Sequence, residues 1–279
     1  MTLPKKGLSR LQCQLARLCL IIAAGWMLVF GAALWLRQPW AIALWPWADG
    51  KLSYLWISSI LLSHGATLLW YAISLELNAA CGAALGLAVM YIGIAGYMGR
   101  LYAQRNQRLL LAWVATTGVL ALGALLLLYV GSHMALRETR SIPRFMRFSF
   151  LLFVIALGAA SFLLLSRAPV AFPWKLNPDS SFIFGWPFVA TGIFFADAWL
   201  RPSVGNARSQ LLGFFVYDVV LIPPYLQLWP KTKDGYRAAL LVYLIILFWS
   251  AVLAVWLWTA NRPRHKTAGS TSRSIPASL

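Results

Sequence analysis

The chain has 279 residues, 61% hydrophobic and 11% charged, with a mean hydropathy of +0.71 and a net charge of +17. Soluble domains are about half apolar and about a quarter charged, and a soluble chain of this length has too much surface to go so short of polar cover, so lipid is the solvent that fits. The 24 Lys and Arg lie between apolar runs and in both tails, where anionic lipid surfaces attract them, which argues for membrane lipids and against nucleic acid as the partner.

A helix that crosses the hydrocarbon core needs about 20 mostly apolar residues. Eight segments meet that length, at 18–36, 54–77, 79–98, 109–130, 146–166, 182–200, 211–229 and 238–259. The expected fold is all-α: a polytopic integral membrane protein, a bundle of eight transmembrane helices forming one domain over 1–260. Residues 261–279 read as a basic, Ser-rich, disordered tail.

In chain order, Lys5, Lys6, Arg10 and Arg17 lead into the first span. Its apolar run is longer than a signal-peptide core and lacks a small-residue cleavage motif, so it reads as an uncleaved helix. Cys13, Cys19 and Cys81 form no CxxC pair and fit the role of small buried hydrophobes. The following RQPWAIALWPWADGK is rich in Trp and Pro, as an interfacial helix lying flat on the bilayer would be.

The second span carries Ser59, Ser63, Thr67, Tyr71 and Ser74 at spacings of four and three, the period of one helical face, with His64 on its border. That face should point into the bundle, either as interhelical hydrogen-bonding glue or as a ligand or proton site. Glu76 closes the span at the interface. Gly82 and Gly86 in the third span have GxxxG spacing, a signal for close helix packing. His133 follows the fourth span in a position suited to a helix cap.

The sixth span holds Pro187, with Thr191 beside it, and Asp197, whose local partner is Arg201 four residues on. The seventh contains FFVYDVVLIPPYLQLW, which sets Tyr217 and Asp218 one turn before Pro223 and Pro224. No Lys or Arg stands three or four residues from Asp218, so it needs a tertiary partner, a proton or water. Each proline lacks an N–H and clashes with the carbonyl four residues back, and broken helices of this kind mark binding sites in many transporters. Pro187, Pro223 and Pro224 are therefore expected helix breaks.

Several chemistries lack their residues. Two histidines at equal depth for haem, clustered metal ligands, GxSxG, a Walker loop and GxGxxG are not found, which disfavours an enzyme. No cofactor is expected; a bound lipid is compatible with the composition.

With the N-terminus inside, Lys and Arg divide fourteen inside to ten outside, although the internal loops alone favour the reverse by ten to six. The basic flank of the first helix decides for both termini on the cytoplasmic side of a bacterial cytoplasmic membrane. Two function classes stand. One is a protein that binds or transports a small solute, ion or lipid through a polar intramembrane cavity, with Asp218, Tyr217, His64, Thr67 and Asp197 as candidate ligand- or proton-binding residues. The other is a non-catalytic subunit or assembly scaffold that contacts other membrane subunits.

Overall fold

A computed structural model describes residues 10–168 and 171–260. The tail expected at 261–279, and Lys5 and Lys6, lie outside those residues. The described helices are α1 (Arg10–Trp35), α2 (Pro39–Ala43), α3 (Lys51–Ser74), α4 (Cys81–Arg105), α5 (Arg108–Ser132), α6 (Arg144–Leu165), α7 (Pro178–Leu200), α8 (Val204–Leu228) and α9 (Asp234–Ala260). All but α2 are long and apolar enough to cross a membrane. The protein is a multi-pass membrane protein with an all-α fold, as its composition requires: in hydrocarbon every backbone N–H and C=O must be satisfied within the segment, and a helix does that.

Some boundaries differ from expectation for a physical reason. α8 begins at Val204, seven residues before the apolar run, because Asn206, Ser209 and Gln210 are buried against other helices rather than exposed to lipid. Asp218 is thus fourteen residues into α8, about 21 Å at 1.5 Å per residue, near the middle of the helix. Pro223 and Pro224 lie within α8, and Pro187 within α7, without ending either helix. They remove ladder hydrogen bonds but do not unwind the chain, which corrects the expectation of broken helices. The Trp-rich segment forms one short helix, α2.

The packing follows a two-part scheme. Chain neighbours pair as hairpins, α1 with α3, α4 with α5, α6 with α7 and α8 with α9; across the bundle α3 packs on α8, and α4 on α7. The half formed by α6 to α9 therefore repeats the arrangement of the half formed by α1 to α5, with α3, α4, α7 and α8 inside.

Local detail repeats as well. Arg37 and Arg167 are both left-handed, at φ 55° and 60°, which is uncommon for a residue with a Cβ. Each closes its helix with the same three bonds: Leu36, Arg37 and Gln38 donate to Ala32, Leu34 and Ala33, and Ser166, Arg167 and Ala168 donate to Phe162, Leu164 and Leu163. These are Schellman-type ends. The inner crossings match too. A Cβ added to Gly86 would strike the backbone of Ala190 in α7, and one added to Gly213 would meet Thr67 and Ser63 in α3. The GxxxG pair thus serves packing inside the bundle.

Candidate functional site

The hydroxyl stripe of α3 faces inward, as its period requires. Ser59, Thr67 and Tyr71 are buried. Much of its hydrogen bonding is local: Ser59 donates to Trp56 O (2.7 Å) and Thr67 to Ser63 O (2.9 Å), while Tyr71 donates to Ala79 O (3.2 Å). Where α3 passes α8, small Gly213 allows the close approach, and the space left beside it is a cavity.

Two cavities lie among the inner helices. The first, about 50 Å³, is lined by Ser63, His64, Thr67 and Tyr71 of α3, Thr191 of α7 and Gln210 of α8, with apolar neighbours. The second, about 90 Å³, lies toward α6 and α9 and is lined by Trp56, Thr191, Tyr217 and Tyr243 among others. Ser63, His64, Thr191 and Phe214 border both. Each has room for a few waters or a small polar group. Among the described residues that line them, none is Lys, Arg, Asp or Glu.

His64 stands thirteen residues into α3 and ten before its end, hence at mid-depth. It is half-buried. Tyr217 is buried, and its hydroxyl accepts from Trp56 Nε1 at 2.8 Å. Trp56 in turn packs against Phe184 and Phe188 at 4.4 and 5.6 Å. The phenol hydroxyls of Tyr225 and Tyr243 are buried with no hydrogen-bond partner among the described residues. Buried polar groups are nearly always paired, which makes these two hydroxyls exceptions in the packing around the second cavity.

The structure separates the acids from this wall. Asp218 is buried and lies against Ser250 of α9, whose Oγ is 3.0 and 2.9 Å from its two carboxyl oxygens. Ser250 Oγ is also 3.0 Å from Ile246 O and from Leu247 O, and one hydroxyl proton cannot serve all of these acceptors. Asp218 is adjacent to Tyr217 in the chain but is not among the residues lining either cavity. Ser250 was missed in the sequence, though it is the lone hydroxyl of LIILFWSAVLAVW and so carried a signal.

Asp197 forms the expected ion pair. Arg201 Nε and Nη2 reach its two oxygens at 2.8 and 2.6 Å, and Arg201 Nη1 donates to Asn78 Oδ1 at 3.2 Å. Burial works against the Arg201 charge, but the Asp197 carboxylate more than offsets it and holds the guanidinium above its ordinary value. Asn78 Nδ2 donates to Gly131 O and Met134 O (3.1 and 2.9 Å), which ties this cluster to the end of α5. Glu76 is buried and accepts from Arg137 N at 3.2 Å, rather than facing solvent. His133 caps α5. These groups join helix ends on one face of the bundle.

On the opposite face Asp49 accepts from Ser180 Oγ and Trp45 Nε1, both at 2.7 Å. Burial pushes its carboxyl above the ordinary value, against those two bonds.

Among the described residues no group of three or more His, Cys, Asp or Glu is placed to hold a metal. The candidate residues therefore fall into three sets: His64, Thr67 and Tyr217 in the cavity walls, Asp218 with Ser250 behind them, and Asp197 in an ion pair at one face. Comparison with protein-family models, curated proteins and solved structures finds no match to this chain.

Proposed function

We propose that the protein binds a small solute or lipid, or passes one across the bilayer, through the polar cavities between its inner helices. One observation carries this reading: Ser63, His64 and Thr191 stand near mid-membrane in walls shared by two cavities. A polar group at that depth is costly unless it faces protein or water. His64, Thr67 and Tyr217 contact the solute on this reading; Asp218 supports them through Tyr217, its chain neighbour, and Asp197 fixes the helix ends. Among the described residues the walls hold no Lys, Arg, Asp or Glu, which favours an uncharged group over an ion. Short loops and the basic flank of α1 support a bacterial cytoplasmic membrane with both termini inside.

A second reading, a non-catalytic subunit or scaffold, has its own support. Asp218 already has a partner in Ser250, and many apolar side chains face outward, where another subunit can cover them. Single cysteines at Ser63, Thr191 and Ser250, each in a cysteine-free chain, separate the two. The first reading expects N-ethylmaleimide to modify the first two positions and spare the third. If all three resist modification while the variants stay folded, the scaffold is the better description.

A further inference from the structure

A third cavity differs in kind from the other two. It lies between α1 and α5, is open to the bilayer side, and has a volume of about 580 Å³. Its walls are almost wholly apolar: Leu15, Leu20 and Met27 from α1, Val119, Ala124 and Leu127 from α5, with Tyr91 of α4 behind. It spans Gln12–Met27 of α1 and Val119–Val130 of α5, so it occupies the membrane half that holds the start of α1. At the other end it is closed by the α2 region, where Trp113 Nε1 donates to Leu44 O (2.7 Å) and Trp113 packs on Trp45 (5.5 Å).

The repeat shows that the stretch of this opening around Cys19 and Gly123 is particular to one half; the cavity that touches α6 and α9 lies instead at 156–160 and 242–247. Cys19 lies eighteen residues before the left-handed Arg37, and Ser149 lies eighteen before the left-handed Arg167. Gly123 stands fifteen residues after the start of α5, and Trp249 fifteen after the start of α9. In the second half Trp249 Nε1 donates to Ser149 Oγ at 3.1 Å, and Phe145 packs on Trp256 at 4.9 Å, joining α6 to α9. In the first half the matching residues, Gly123 and Cys19, both line the groove. One glycine stands where a tryptophan seals the counterpart.

The groove also borders the polar cavity. Leu68 and Leu87 line both, so two aliphatic side chains separate hydrocarbon from the Ser63–His64–Thr67 wall.

We propose that the groove holds the hydrocarbon chain of a neutral amphiphile, whose uncharged hydroxyl or carbonyl head enters the polar cavity past Leu68 and Leu87. This rests on the function proposed above and names its substrate class. A transmembrane helix, about 30 Å long and 10 Å across, displaces on the order of 2,000 Å³, several times the groove volume, so a partner helix does not fit within it. A phosphate head would enter walls whose described residues include no Lys or Arg to meet it.

The test uses the full chain in lipid nanodiscs and three photoreactive probes. Two are hexadecanol, with the diazirine at the chain end or beside the hydroxyl; the third is lysophosphatidylcholine with the diazirine beside its headgroup. The chain-end alcohol should label α1 and α5 within the groove, and the head-end alcohol should label α3 or α8 around Ser63, Thr67 and Phe214. Gly123→Trp, at a position where an added Cβ meets nothing within 4 Å, should cut both labels about tenfold, or about 1.4 kcal/mol. Gly118→Trp, equally free of neighbours and outside the groove, should leave both unchanged. Head-end label confined to lipid-facing residues, label unaffected by Gly123→Trp, or equal labelling of the polar cavity by the lysophospholipid overturns the proposal. If the cavity cysteines still react with N-ethylmaleimide in that event, the broader solute-binding reading stands and only the amphiphile falls.

Discussion

The two halves of the bundle share a plan and differ in how they fill it. Counting five residues on from the matched Gly86 and Gly213 gives Tyr91 in the first half and Asp218 in the second. Tyr91 borders the open groove, whereas Asp218 is bonded to Ser250 inside a joined α8–α9 pair. Trp249 and Ser149 join α6 to α9 at a level where Gly123 and Cys19 leave α1 and α5 apart. The helix scaffold thus tolerates opposite fillings at equivalent places. The shared part is the close crossings of α3 with α8 and of α4 with α7; the unshared part is the outer seam, where the proposed amphiphile would bind.

The largest expected effect tests the shared part. Gly86→Val should destabilise by about 3 kcal/mol, because the new side chain meets the rigid backbone of Ala190. Gly213→Val should cost about 1 to 2 kcal/mol, because the added side chain first meets the Thr67 hydroxyl, a side-chain group, rather than backbone. Denaturation in detergent followed by size-exclusion yield ranks them, and equal costs would break the contrast between the two crossings.

The next effect tests the unshared part. A double-mutant cycle of Asp218→Asn and Ser250→Ala should show a coupling of about 0.6 kcal/mol, and at most about 1.7, as for other hydrogen bonds between membrane helices. Zero coupling would mean that the carboxyl depends on something other than Ser250.

The smallest effect concerns pH. Because burial raises the Asp49 carboxyl above its ordinary 3.8, its contribution to stability is fully present below that value and is lost as pH rises through the higher folded value. Thermal melts of the wild type should therefore lose ground to Asp49→Asn between pH 4 and pH 7. A difference that does not change over that window would mean that the site is wetter than its surroundings indicate.

Helix number and class were legible because apolar length alone separates a membrane span from a loop. The start of α8 was not, since Asn206, Arg208, Ser209 and Gln210 look like a loop to any measure of hydropathy yet are helical and packed against protein. The inward face of α3 was readable from its hydroxyl period, and the Asp197–Arg201 pair from its spacing. What occupies the far side of Asp218 required tertiary knowledge, because Ser250 is 32 residues away. The groove was unreadable for a similar reason: an absent side chain at Gly123 leaves no mark in a sequence until its counterpart is known.

The crossed packing has a consequence for biosynthesis. α3 packs on α8, and α4 on α7, rather than on each other, so the α1–α3 and α4–α5 hairpins leave the ribosome with little to bind them together. Until the last four spans are threaded into the bilayer, the early hairpins lack the helices on which their glycine and hydroxyl faces pack. Translated as two separate polypeptides, neither half should mature alone, and each should rescue the other when both are made together.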